Sequence, residues 1–70
     1  MKKYSSPNGY TGYCSKGNFM GFKHWDFTIV DKDGDMVFHA TRTADMTLDE
    51  LKEQVDSFPE FRDMLSRRGK

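Results

Sequence analysis

WDFTIVDKDGDMVFHAT, residues 25–41, holds two alternating apolar runs around an acidic, glycine-containing centre. The centre, DKDGD, has the look of a calcium loop. An EF-hand loop needs oxygen ligands at positions 1, 3 and 5, glycine at 6 and a bidentate Glu at 12. With Gly34 at position 6, Asp33 and Asp31 fall at 5 and 3, but Ile29 falls at 1 and Ala40 at 12. Both are apolar, so the segment reads as a turn. Asp-Gly between alternating runs is a strong hairpin signal, because the tight turn needs positive φ. A two-residue loop at Asp33-Gly34 pairs Lys32 with Asp35, Ile29 with Phe38, Phe27 with Ala40 and Trp25 with Arg42. That register gathers the large apolar residues on one face. A three-residue loop would set Asp31 against Asp35 and, by slipping one residue, turn Phe38 to the other face. The shorter loop is therefore preferred. A type I turn with a bulge at Gly34 is the lesser reading.

Downstream, MTLDEL (46–51) carries a helix start. Thr47 is the N-cap, Glu50 closes a capping box, and Met46 with Leu51 forms a hydrophobic staple. Leu48, Leu51, Val55 and Phe58 recur at helical spacing. Pro59 cannot sit in a helix interior but suits a first turn, with Ser57 as its cap and Glu60 three residues later. Either a second helix runs from about Phe58 to Arg67, or one helix kinks at Pro59. Upstream, SPNG (6–9) and SKGN (15–18) read as turns, with a possible third strand over Tyr10–Cys14. Residues 19–30 read as extended, with a bulge or bend at Gly21. The ends, 1–6 and 67–70, read as flexible.

The expected fold is α+β. A small antiparallel sheet of two to three strands, turning at Asp33-Gly34, carries the C-terminal helix or kinked pair on one face. The expected core is Trp25, Phe27, Ile29, Met36, Phe38, Leu48, Leu51, Val55, Phe58, Phe61 and Leu65. Seventy residues allow a single domain, residues 1–70. One cysteine, Cys14, rules out an internal disulfide, so apolar packing or self-association must stabilise the chain.

Eleven basic residues balance eleven acidic ones, so no global field draws the chain to nucleic acid or an acidic membrane. No apolar run approaches the length of a membrane span. Two lysines at the start lack the apolar run of a signal peptide. The free thiol then points to a reducing, cytoplasmic setting.

Candidate chemistry is sparse. His24, His39 and Asp26 fall on the hairpin face opposite the aromatic stripe. Strand rise separates the histidines by roughly 13 Å, too far to share a metal, while Asp26 and His39 are diagonal neighbours able to pair. Cys14 suits a small, half-buried strand position better than a nucleophile. KGNFMGFKHW (16–25) resembles in part the RNP1 motif of RNA-recognition and cold-shock domains. It departs from that motif at Asn18, where the first aromatic stands. Phe19 and Phe22, three apart, would also occupy opposite faces of a flat strand unless Gly21 carries a bulge. No family follows from it. No P-loop, dinucleotide fingerprint or C-x-x-C motif occurs.

Tyr4, Tyr10, Tyr13, Phe19 and Phe22 exceed what this core needs. The expectation is a small non-enzymatic accessory or inhibitor protein that contacts another protein, with no cofactor and no metal. Its candidate contact residues are Tyr10, Tyr13, Phe19, Phe22, Lys23 and His24. A sheet edge could also pair with a second copy as a homodimer. The alternative is single-stranded nucleic-acid binding through 16–25.

Overall fold

A computed structural model describes residues 1–68, the side chains of Phe19 and Arg68 excepted. Four strands precede two helices: β1 (Lys2–Ser5), β2 (Thr11–Phe19), β3 (Phe22–Val30), β4 (Met36–Arg42), α1 (Leu48–Asp56) and α2 (Phe58–Arg68). The strands form an antiparallel meander in the order β1-β2-β3-β4. The class is α+β as expected, but the sheet has four strands rather than two to three.

The central hairpin keeps the expected strand register by a different turn. Trp25 opposes Arg42, Phe27 opposes Ala40, and Ile29 opposes Phe38. The loop itself is the longer one. The Asp31 N–H donates to the Asp35 carbonyl at 2.9 Å, the Gly34 N–H donates to the Asp31 carbonyl at 3.0 Å, and Gly34 has φ +86°. Two features reconcile this loop with the strands. The Asp31 carboxylate turns inward and accepts from the Asp33 and Asp35 N–H groups at 2.9 and 3.0 Å, so it staples the loop instead of facing Asp35 as a bare charge. A bulge then absorbs one residue. Val30 opposes Met36 while Ile29 opposes Phe38, leaving Val37 unpaired between them. The bulge restores Phe38 to the apolar face. It also corrects the expected core, since Met36 is 65% exposed and Val37 packs against the core instead.

The N-terminal half departs further from expectation. SKGN (15–18) is not a turn but the middle of β2, which pairs with β3 from Thr11↔Val30 to Phe19↔Phe22. The reversal lies at Met20-Gly21, whose φ values of +53° and +84° fit a type I′ turn. Gly21 therefore turns the chain rather than bulging a single long strand. The end expected to be flexible, 1–6, holds a strand at residues 2–5. They form β1, paired with β2 from Lys2↔Cys14 to Ser5↔Thr11. Side chains hold this strand to both ends of α1. The Lys2 ammonium donates to Asp45 Oδ2 at 3.0 Å and to the Met46 carbonyl at 2.6 Å. At the other end Tyr4 and Ser6 hydroxyls donate to Asp56 Oδ1 at 2.8 and 2.6 Å. Asn8 Nδ2 donates to the Val55 carbonyl at 2.9 Å, satisfying a group left open by the helix end. At the C-terminus, residues 67 and 68 belong to α2, and the expected flexibility of 69 and 70 lies outside the described residues.

Thr47 caps α1 through the full capping box, and Met46 and Leu51 of the staple are both buried. Of the two readings at Pro59, separate helices form, with Ser57 between them and Pro59 in the first turn of α2. Helix α1 lies over β1 and β2. Gly12 permits this approach, because a Cβ there would stand 2.3 Å from Val55 Cγ2 and 3.2 Å from Leu51 Cδ1. The core comprises Cys14, Phe27, Ile29, Met46, Leu51, Val55 and Phe58, rimmed by Tyr4, Tyr10, Trp25, Val37 and Phe38. Tyr4 and Tyr10 are thus packing residues, not surplus aromatics. Leu48, Phe61 and Leu65, expected in the core, are 46, 41 and 47% exposed. Met46 takes a buried place ahead of the cap, and α2 presses only Phe58 fully inward.

Candidate functional site

Strand alternation divides the sheet into two unlike faces. The helix-covered face carries Tyr4, Gly12, Cys14, Phe27, Ile29 and Phe38, together with Lys16 and Lys23 toward the Met20-Gly21 tip. The other face carries Lys3, Tyr13, Ser15, Phe22, His24, Asp26, Thr28, His39 and Thr41, and neither helix packs on it. The sequence-selected residues therefore separate. Tyr13, Phe22 and His24 share the open face. Phe19 pairs with Phe22 in the backbone register across the tip, and its side chain lies outside the described residues. Lys23 is exposed but alternates to the covered face. Tyr10 lies beneath α2, edge-on to Phe58 at 5.0 Å between centroids, and its hydroxyl accepts from Arg62 Nη1 at 2.9 Å.

At the centre of the open face sit two histidines and one carboxylate. His39 Nε2 lies 3.3 Å from Asp26 Oδ1, and His24 Nε2 lies 3.4 Å from Asp26 Oδ2. The Asp26–His39 pairing follows the expected diagonal. The His24 contact does not, because the strand separation of the two histidines concealed that both side chains bend toward one carboxylate. Gly17, opposite His24, makes room for this. A Cβ there would lie 2.4 Å from His24 Nε2, so the imidazole covers the bare backbone. Beside this cluster the Lys3 ammonium stands 5.7 Å from the centre of the Tyr13 ring, within cation–π range. The open face thus presents aromatic and imidazole planes, short hydroxyl side chains and nearly balanced charge.

Among the described residues, no group of three or more His, Cys, Asp or Glu is placed to hold a metal ion. Cys14 is 2% exposed, and its thiol donates to Asp45 Oδ1 at 3.6 Å, away from both histidines' face. At the β1–α1 clasp, neighbouring groups shift three acidities. Hydrogen bonds from Ser6 and then Tyr4 hold the Asp56 carboxyl below its usual range, and the bond from Lys2 does the same for Asp45. Tyr4 is pushed up by donating to Asp56. These groups hold the fold together. Among the described residues, no helix is long and apolar enough to cross a membrane. No family model, curated protein or solved structure matches the chain.

Proposed function

We propose that the chain is a small, non-enzymatic protein-binding module that meets its partner with the open sheet face. The observation that carries this reading is the convergence of Tyr13, Phe22, His24 and His39 on a face that neither helix packs against. Tyrosine and other aromatic side chains dominate interface energies, and a four-stranded sheet holds them rigidly at little entropic cost. Charge supports a protein partner over single-stranded nucleic acid. A nucleic-acid platform needs basic groups beside its stacking aromatics, yet this face offers Lys3 against Asp26 at its centre, while Lys16 and Lys23 alternate to the opposite face. The unpaired thiol Cys14 suits action in the cytoplasm, a reducing setting.

The test compares the wild-type chain with Tyr13→Ala/Phe22→Ala as bait in host lysate, alongside titration of a fluorescent single-stranded oligonucleotide at low salt. Both substitutions lie outside the core, so the variant's thermal midpoint should match the wild type. The reading expects a protein retained by the wild type and lost from the variant, with no oligonucleotide binding. Equal retention by both baits would reject the open face as the site. Oligonucleotide affinity falling steeply with salt would replace the reading with the nucleic-acid one.

A further inference from the structure

The two edges of the sheet are built differently, and the difference points to self-association. Edge β1 has four residues, two of them lysines, and its side chains are tied to α1. Short length and lysine are how edge strands avoid pairing with other chains. Edge β4 has seven residues, MVFHATR, with no lysine and no proline, and beyond its bulge at Val37 it pairs regularly from Phe38 to Arg42. Its outer backbone groups have no neighbouring strand, because β4 ends the sheet order.

The covered side of that edge is also unfinished. Helix α1 lies over β1 and β2, and α2 reaches β4 through its aromatics, with Phe61 5.8 Å from Phe38 between centroids. Between them a groove of about 170 Å³ runs along β3 and β4, walled by Phe27, Phe38, Ala40, Phe58 and Phe61. Beyond it α2 continues the apolar stripe with Met64 and Leu65, 54 and 47% exposed, while the Asp63–Arg67 ion pair lies on another side of the helix.

We infer that β4 pairs antiparallel with β4 of a second copy, making one eight-stranded sheet across a two-fold axis. Two observations favour a second copy as the occupant. The first is charge, since a chain of net charge zero does not repel its copy. The second is self-complementarity. A two-fold axis at His39 sets Phe38 of each copy opposite Ala40 of the other, large against small, and keeps Arg42 from facing itself. Each groove then continues into its neighbour. Pairing at β4 leaves Tyr13, Phe22 and His24 uncovered, while His39 of the open face meets its own copy at the axis.

Light scattering on the full chain, from about 1 µM to about 1 mM, tests it together with amide hydrogen exchange at the two extremes. The expected mass rises from 8.2 kDa to twice that value. Exchange of outward amides in residues 37–41 should slow with concentration, while β1 amides should not change. Ala40→Lys, an inward charge on the edge, should hold the mass at the monomer value. Tyr13→Ala should leave the doubling intact. A monomer throughout the range would overturn the inference, as would a dimer protected at β1 or one protected at neither edge. The wild-type exchange measurement decides the matter even if Ala40→Lys fails to fold.

Discussion

Helices α1 and α2 start alike and end differently. Both begin with acidic residues in the first turn, and α2 is the longer, eleven residues against nine. Yet α1 buries Leu51 and Val55 completely, whereas α2 leaves Phe61, Met64 and Leu65 exposed around a buried Phe58. What separates them is what holds each end. Capping box, staple and Gly12 fix α1 from below, and β1 clasps it at Asp45 and Asp56. Among the described residues, helix α2 has one hydrogen bond from its side chains to the sheet's loops, Arg62 to Tyr10. Apolar spacing alone does not say which helix is core; the partners of its ends do.

Breaking α1 should therefore cost most. Leu51→Ala empties a fully buried site between β2 and Met46, and should lose about 2–5 kcal/mol in urea unfolding, enough to unfold so small a domain. Gly12→Ala comes next. The new Cβ meets the branched end of Val55 inside packed core, so the helix must lift, at about 1–3 kcal/mol. A thermal midpoint equal to wild type would show that α1 is not seated as described. Thr47→Ala removes the cap and should cost about 1 kcal/mol. The analogous Ser57→Ala, at the junction with α2, should cost less, since Ser57 Oγ donates back to Glu53 instead of capping α2.

The clasp adds a pH dependence with a defined sign. Asp45 and Asp56 have carboxyls held below their usual range in the folded chain. Their stabilisation is present above the unfolded carboxyl range and is lost as pH falls through the lower folded values. Tyr4 acts oppositely. Its raised folded value adds stability that is present below the ordinary phenol range and lost as pH rises through it. Denaturation midpoints followed from pH 6 to about pH 2 should fall, and in Asp56→Asn they should fall less. An identical acid slope in that variant would remove Asp56 from the clasp.

These contrasts also mark what the sequence makes legible. Local signals with their own chemistry are plain in it: the capping box at Thr47 and Glu50, Pro59 in a first turn, and the alternation that pairs Ile29 with Phe38. Non-local ones are not. Strand β1 looks like a loose polar end because Lys2, Tyr4 and Ser6 find their partners some fifty residues away in Asp45 and Asp56. The tip at Met20-Gly21 is hidden because methionine is an unusual residue at positive φ, while the SKGN run mimics a turn. Like-charge repulsion between Asp31 and Asp35 speaks against the longer DKDGD loop. A carboxylate that turns to bond its own backbone escapes that argument. Of the candidate site, His39 beside Asp26 follows from pairing geometry. The second histidine at the same carboxylate needs Gly17 across the strand pair, which no spacing along one strand reveals.

The smallest effect is reserved for α2, where it says the most. Met64 is 54% exposed, and among the described residues no side-chain hydrogen bond involves it. In dilute solution Met64→Gln should change stability by no more than about 0.5 kcal/mol, as for surface substitutions elsewhere. If two copies join at β4, the wild type gains stability with concentration, because association stabilises whatever folded form it binds. The glutamine should lose part of that gain while keeping the dilute value. A large loss in dilute solution would instead mean that α2 holds the monomer together, erasing the contrast between the helices. A small dilute effect with no change in the concentrated gain would keep the contrast and free the stripe from the dimer.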